Sequence, residues 1–474
     1  MTGFQFRTIS ELADAYRGGR TNPVAIAKKI LDAVAEFDAN KPPLRAFIAQ
    51  RSEDVMEMAE ASHVRHQKGE PLSLLDGMPI AVKDEIHQKG YPTTVGTSFL
   101  GTIPQDQDAT VVARLRAAGA ILVGKTNMHE VGIGVTGINP HHGPARNPYD
   151  LARITGGSSS GSAAAVASGL CPVALGADGG GSIRIPSGLC GVVGLKPTYG
   201  RVSEHGAFPL CWSVAHLGPI AGTVADTLEV YRVIAGKDNK DPNTWSQPDP
   251  VFSGILDGSL ENMTLGVCPE FFNQADDEVV AACRQTIHAM EDLGARTKEV
   301  SIAGLAYVRP VQYLTIGVEM AAALYEYRKE DKTRFGADTR VLLQVASSAP
   351  AVDYVRAQQL RGRIIAGFDA ALAGVDVLVS PTTGRTAAPI SAQAAKTGES
   401  DEALLESLTE FSFAANLTGL PAVTVPVGYD EQGLPIGFQI TAPAWREDLA
   451  LRCAAAVERT VERQRPQQFI DLLE

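Results

Sequence analysis

Gly156-Gly-Ser-Ser-Ser-Gly-Ser-Ala-Ala-Ala-Val-Ala-Ser-Gly169 leads through Leu170 and Cys171 into Pro172-Val-Ala-Leu175 and then Gly176-Ala-Asp-Gly-Gly-Gly-Ser-Ile-Arg-Ile-Pro186. The order is a Gly/Ser segment, an Ala-rich helix over Ser162–Ser168, a short buried strand, and a second glycine loop. Working outward, the same rhythm returns. Met78-Pro-Ile-Ala-Val-Lys83 reads as a strand, Ala109–Ala118 as a helix ended by Gly119, and Ala120-Ile-Leu-Val123 and Val192-Val-Gly-Leu195 as further buried strands. Thr8-Ile-Ser-Glu11 fits a capping box at the first helix, and Asn22-Pro23 opens the second. After a polar surface connection over 237–260 come the strands Thr264-Leu-Gly-Val267 and Val375-Asp-Val-Leu-Val379, with helices over 305–372 between them. The small, polar stretch 384–410 is expected to be a mobile loop. Short apolar runs alternating with helices predict an α/β fold whose sheet is covered on both faces. No repeat or dividing linker is visible, so residues 1–474 are expected to form one domain.

Composition narrows the function classes. A net charge of −12 argues against a broad nucleic-acid surface, which needs clustered Lys and Arg. Cys171, Cys190, Cys211, Cys268, Cys283 and Cys453 are scattered with no C-x-x-C, a pattern that suits reduced thiols in a cytoplasmic enzyme. The start, Met1-Thr-Gly-Phe-Gln-Phe-Arg7, has no apolar run behind a basic segment, so no signal peptide is expected. The stretch from Ala163 to Ala177 is broken by Ser168, Gly169 and Pro172, short of the ~20 apolar residues of a transmembrane helix.

Three features carry chemistry. A Gly/Ser run such as 156–162 is ordinarily a linker, but here a helix follows at once, and its N-terminal amides favour a polar or anionic group. Three glycines before Ser182 either make an ordinary strand-to-helix turn or aim their amides at one spot, as an oxyanion hole requires. Most lysines are solvated, yet Lys83 ends an apolar strand, where burial favours a neutral amine that can act as a base. Gly157-Ser-Ser-Ser-Gly161 also matches the G-x-S-x-G nucleophile elbow, centred on Ser159. That elbow needs a buried strand before it, and Asn147–Thr155 does not read as one. His129-Glu130 and His141-His142 lack metal-ligand spacing and read as structural; no metal or cofactor motif is present.

Gly77-Met-Pro-Ile-Ala-Val-Lys-Asp84, Gly156–Ser162, Gly179-Gly-Gly-Ser-Ile-Arg-Ile-Pro186 and Gly194-Leu-Lys-Pro-Thr-Tyr-Gly-Arg201 resemble, in order and spacing, the amidase signature family. Asn416-Leu-Thr-Gly-Leu-Pro-Ala-Val-Thr-Val-Pro426 and Gly433-Leu-Pro-Ile-Gly-Phe-Gln-Ile440 extend the resemblance, which runs from residue 5 to residue 460. Thr136-Gly-Ile-Asn-Pro-His-His-Gly143, Cys171 and Gly179-Gly-Gly-Ser182 resemble in particular plant-type fatty acid amide hydrolases and their bacterial relatives, urethanases included. The resemblance implies a mixed, twisted sheet between helix layers: N-terminal helices (1–70), a signature core (75–235), a variable lid and pocket (260–410) and a C-terminal return to the core (411–474). It makes Ser182 the nucleophile, Ser158 a bridging serine after a cis peptide from Gly157, and Lys83 the base. The amides of Gly179, Gly180, Gly181 and Ser182 become the oxyanion hole. Ser159 and the ion pair of Asp178 with Arg184 become supports, and Gly132, Ile133 and Val135 the acyl pocket, completed from 305–345 and 384–410. No cofactor or metal is implied. Two positions depart from the pattern: Ser160 stands where many members have Gly, and Gly179 where many have Thr or Ile. Both departures are expected to alter loop rigidity and substrate fit.

The expected activity is hydrolysis of the C–N bond of an apolar acyl or aryl amide, or of a carbamate. The expected partner is a small-molecule substrate; a homo-oligomer is left open. A second reading is the A subunit of a glutamyl-tRNA amidotransferase, distinguished by whether the chain alone turns over simple amides. A non-catalytic binding protein fits less well, because all three triad positions are intact.

Overall fold

The computed structural model describes residues 3–327 and 332–474. In chain order its helices are α1 (Ile9–Arg17), α2 (Pro23–Ala39), α3 (Ser52–Lys68), α4 (Thr110–Ala117), α5 (Ser160–Ala167), α6 (Arg184–Leu189), α7 (Val224–Ile234), α8 (Asp277–Asp292), α9 (Val308–Ala323), α10 (Ala337–Ser347), α11 (Ala351–Leu372), α12 (Ala392–Thr397), α13 (Glu402–Thr409), α14 (Phe413–Thr418) and α15 (Glu447–Glu458). The strands are β1 (Phe47–Ala49), β2 (Pro79–Lys83), β3 (Ile121–Thr126), β4 (Arg146–Asn147), β5 (Asp150–Ile154), β6 (Val173–Ala177), β7 (Val193–Lys196), β8 (Leu217–Ala221), β9 (Thr264–Val267), β10 (Arg296–Glu299), β11 (Val377–Pro381), β12 (Ala422–Tyr429) and β13 (Pro435–Thr441).

Eleven of these strands form one mixed sheet in the order β1-β3-β2-β6-β8-β7-β12-β13-β11-β9-β10. This is the mixed sheet between helix layers expected from the motifs. β2 pairs parallel to both β3 and β6, with Val82 beside Leu175. Their C-terminal ends therefore open on one edge, where ligands of parallel sheets ordinarily bind. Every residue of β2, β3 and β6 is buried, which explains apolar runs without alternation. Helix α5 connects toward β6, and all eight of its residues are buried; their small side chains let it lie against the sheet. The capping box forms as expected: Thr8 Oγ accepts the Glu11 amide at 3.1 Å, and Glu11 Oε2 accepts the Thr8 amide at 2.8 Å. Asn22 caps α2 through the Ala25 amide at 2.9 Å.

Three local expectations change. Helix α5 begins at Ser160, so Ser160 and Gly161 belong to the helix and not to a loop. Asp150–Ile154 is a strand, although it lies with β4 in a two-stranded ribbon outside the main sheet. The stretch 384–410 contains α12 and α13: Ser391 caps the first through Ala394 and Asp401 the second through Leu404. Two of its polar residues, Ser391 and Asp401, are helix caps, and Leu408 of the second helix is fully buried.

Candidate active site

Lys83 is the last residue of β2 and is fully buried. Its Nζ donates to Ser158 Oγ at 2.7 Å and to the Ala177 carbonyl at 3.2 Å, and lies 2.8 Å from Glu85 Oε2. Those three partners fill the donor positions of an ammonium; as a neutral amine the nitrogen has a lone pair to offer the Ser158 hydroxyl. Sequence reasoning overlooked Glu85, although Lys83-Asp-Glu85 closing an apolar strand was a visible signal. The intervening Asp84 turns the other way. It accepts the amides of Thr94 at 3.1 Å and Gly96 at 3.0 Å, and faces Lys125 at 3.7 Å.

Ser158 follows a cis peptide bond from Gly157. Its carbonyl accepts the His129 amide at 3.0 Å, which joins the serine loop to the segment holding Gly132, Ile133 and Val135. Ser159 points away. Its hydroxyl donates to the Ala177 carbonyl at 3.1 Å and accepts the Ala177 amide at 3.3 Å, while its own amide donates to the Ser182 carbonyl at 3.2 Å. An elbow nucleophile must stand exposed above its sheet. Ser159 is fully buried, and the strand before it belongs to the outer ribbon, so its place is that of a tie between the two loops.

The second loop is organised by Asp178. Its carboxylate accepts the Gly181 amide at 2.6 Å, the Ile183 amide at 3.1 Å, Arg184 Nε at 3.0 Å and Asn416 Nδ2 at 2.9 Å. One expectation is corrected here. The Gly181 N–H is committed to Asp178, while Gly179, Gly180 and Ser182 line the cavity. Gly181 itself is required: its φ is +115°, and a Cβ would stand 2.5 Å from Ser412 Oγ. The unusual Gly179 also has a cause, because a Cβ there would lie 2.7 Å from Cys211 Sγ. Cys211 fills the room that a larger residue would take. The side chains that complete the Asp178–Arg184 pair went unassigned from sequence. Arg184 donates to Gln439 Oε1 at 2.6 Å and Asn416 Oδ1 at 2.5 Å, both from the C-terminal motifs.

Burial alone would raise the Asp178 carboxyl, but the Arg184 guanidinium, helped by Lys196 and Asn416, holds it well below the usual carboxylate range. Asp178→Asn is therefore expected to destabilise the fold by about 3–5 kcal/mol at pH 7, since it leaves a buried guanidinium uncompensated. A depressed carboxylate contributes its stability above its unfolded value, near pH 4, and loses it as pH falls through the folded one. Urea unfolding should thus show a gap between variant and wild type that narrows at pH 3. An equal gap at both pH values would remove the charge argument.

Lys83, Glu85, Ser158, Ser182, Gly179 and Gly180 line one cavity together with Gly132, Ile133 and Val135. Gly181, Ser159, Asp178 and Arg184 stand behind it. The rest of the wall is mostly apolar: Tyr313, Ile316 and Met320 from α9, Leu342 from α10, Leu405 and Thr409 from α13, then Phe413, Leu210 and Cys211. Both variable segments, 305–345 and 384–410, thus contribute wall residues; positions 328–331 of the first lie outside the described residues. The histidines are held structurally: His141 Nε2 bonds Glu130 Oε1 at 2.6 Å, and Glu130 accepts the Gly336 amide from the start of α10. Among the described residues no cluster of His, Cys, Asp and Glu has the arrangement of a metal site, and no helix is long and apolar enough to cross a membrane.

Comparison with known proteins fits this geometry. The family model described as Amidase matches residues 29–451. The fatty acid amide hydrolase of Oryza sativa subsp. indica is 42% identical over 481 residues, 99% of this chain and 79% of that protein. The A subunit of the glutamyl-tRNA(Gln) amidotransferase of Chloroflexus aggregans is 35% identical, covering 98% of each. Among solved structures, the native peptide amidase of Stenotrophomonas maltophilia superposes with a TM-score of 0.85 at 29% identity, covering 98% of both chains.

Proposed function

The chain belongs to the amidase family as an amide-hydrolysing member, and we propose that it cleaves the C–N bond of an apolar acyl or aryl amide, or of a carbamate, through an acyl-enzyme on Ser182. The observation that carries this reading is the 2.7 Å bond between buried Lys83 Nζ and Ser158 Oγ, on the wall of the cavity that also holds Ser182. In the proposed route neutral Lys83 takes the Ser158 proton as Ser158 takes that of Ser182. The Ser182 Oγ–carbon bond forms, and the carbonyl π electrons move to an oxyanion met by the amides of Gly179, Gly180 and Ser182. Lys83 is then an ammonium 2.8 Å from the Glu85 carboxylate, which holds its charge much as a third group holds a protonated catalytic base. On collapse the proton returns through Ser158 to the leaving nitrogen, because an amine leaves poorly unless protonated. Water then attacks the acyl carbon as its proton passes to Ser158 and Lys83. The carbon–Ser182 Oγ bond breaks as a proton returns through Ser158 to Oγ, releasing the acid and restoring Ser182. For a carbamate the same C–N cleavage releases an amine and leaves a carbonate ester on Ser182.

The mostly apolar wall supports an apolar acyl or aryl group; Gly132, Ile133 and Val135 are proposed to contact it. All six cysteines are free and buried, which fits the proposed cytoplasmic setting. The match to an amidotransferase A subunit over nearly its full length favours a second reading, in which the chain works within an assembly. One experiment separates the readings: fluorophosphonate labelling with peptide mapping, then assay of the purified chain on amides, anilides and carbamates. The expected result is label on Ser182 and turnover by the chain alone. Label on Ser159 would sink the mechanism, and label on Ser182 without turnover would favour the assembly.

A further inference from the structure

We propose that Gln312, a residue of α9 outside the triad, is a positioning residue that aims the Gly180 amide into the oxyanion hole. The inference rests on the acyl-enzyme reading above and begins with the peptide planes of residues 178–182. In a trans peptide the carbonyl of one residue and the N–H of the next point in opposite directions. The bonds in this loop are trans, so whatever holds each carbonyl also aims the following amide.

Each of the four carbonyls is held. Asn416 Nδ2 donates to the Asp178 carbonyl at 2.8 Å, Gln312 Nε2 to Gly179 at 2.7 Å, Ser412 Oγ to Gly180 at 2.8 Å, and the Ile185 amide to Gly181 at 2.7 Å. The Ser412 anchor directs the Gly181 amide, which goes to Asp178 and not to the cavity. The Gln312 anchor directs the Gly180 amide, and Gly180 lines the cavity. Gln312 does not line it: it grips the loop from behind.

The side chain itself argues for the role. Gln312 is fully buried, its Nε2 must face the Gly179 carbonyl because only the NH2 end can donate, and its Oε1 has no partner among the described residues. A buried amide whose oxygen is left without a partner is costly compared with a hydrocarbon of the same shape, so its presence points to a need for that one donor. The anchors of Asp178, Gly180 and Gly181 come from α14, the residue before it, and α6. Gln312 comes instead from the helix that gives Tyr313, Ile316 and Met320 to the substrate wall. The helix that contacts the substrate thereby also sets an oxyanion donor.

The test uses Gln312→Met, which keeps the shape and removes the donor, with Gln312→Asn as a second variant that keeps a donor but shortens its reach. The readouts are kcat and KM on an anilide, and the affinity of a trifluoromethyl ketone that adds to Ser182, set against the matching carboxylic acid product. The expected result for Met is a loss of about 10–100-fold in kcat and a parallel loss in ketone affinity, with KM and product affinity within about twofold. Asn should lose less, in the same ratio, and carries the test alone if Met does not fold. A change in KM and product affinity with kcat intact would overturn the proposal. So would unchanged kcat and ketone affinity. Failure of the underlying reading looks different, since the wild-type chain would then show neither tight ketone binding nor label on Ser182.

Discussion

Ser182→Ala is expected to reduce turnover of amides and anilides by about 10^5-fold while leaving the folded chain and its affinity for product-like acids nearly unchanged. The size follows from what is removed. Without Ser182 Oγ no acyl-enzyme forms, and only the residual help of the oxyanion amides and of substrate positioning remains, worth about 10^3–10^4 over water in serine hydrolases of other folds. The lack of structural damage follows from place. Ser182 stands at the cavity wall between Gly181 and Ile183, whose amides are held by Asp178 whatever side chain lies between them. Its carbonyl, not its hydroxyl, takes the Ser159 amide. Deleting the hydroxyl therefore breaks no tie of the loop, and thermal melting should shift little. Single-turnover kinetics, melting and inhibitor binding together check the prediction. Full activity in the variant would remove Ser182 as nucleophile. Lost activity accompanied by lost folding would leave the residue a structural one.

What could be read from the sequence divides along physical lines. β2, β3 and β6 are local statements: an apolar run with turn residues at both ends is buried wherever the chain takes it. Lys83 closes one such run, the loop holding Ser182 follows another, and the loop holding Ser158 precedes the small-residue helix α5. Burial hides the opposite information. Ser160, Gly161 and the polar residues of 391–409 look like loop until the hydrogen bonds that cap α12 and α13 are known. The supporting groups were the hardest to find. Gln312, Ser412 and Asn416 reach the Asp178–Ser182 loop from far along the chain, and Gln439 reaches Arg184; Asn416 and Gln439 lie in the C-terminal motifs, but nothing local gives any of the four its partner. Gly181 shows the limit in another way. Its amide was available to the oxyanion by spacing alone, and only the course of the Asp178 carboxylate assigns it elsewhere.

Lys83→Ala is expected to lose about 10^4-fold on amides but only about 10^2-fold on matched esters, at the two ends of what general acid–base catalysis contributes. The difference comes from the second half of the proposed route. An ester oxygen departs as an alkoxide or phenoxide with little proton transfer, whereas an amide nitrogen needs the proton that Lys83 stores and Ser158 returns. The experiment needs a control, because the variant also strands Glu85. Its side chain is 9% exposed and its Oε2 faces Lys83 Nζ at 2.8 Å, so removing the lysine leaves a carboxylate uncompensated near the core, at a cost of about 3–5 kcal/mol. Pairing Lys83→Ala with Glu85→Gln removes that charge. The double variant should regain stability in urea unfolding while its amide turnover stays at the level of the single variant. Recovery of both would mean that Lys83 matters because it neutralises Glu85 and holds the loop. Equal losses on amide and ester would move the leaving-group proton to some other donor. A selective loss on amides that survives the restored stability ties the proton to the Lys83–Ser158 bond.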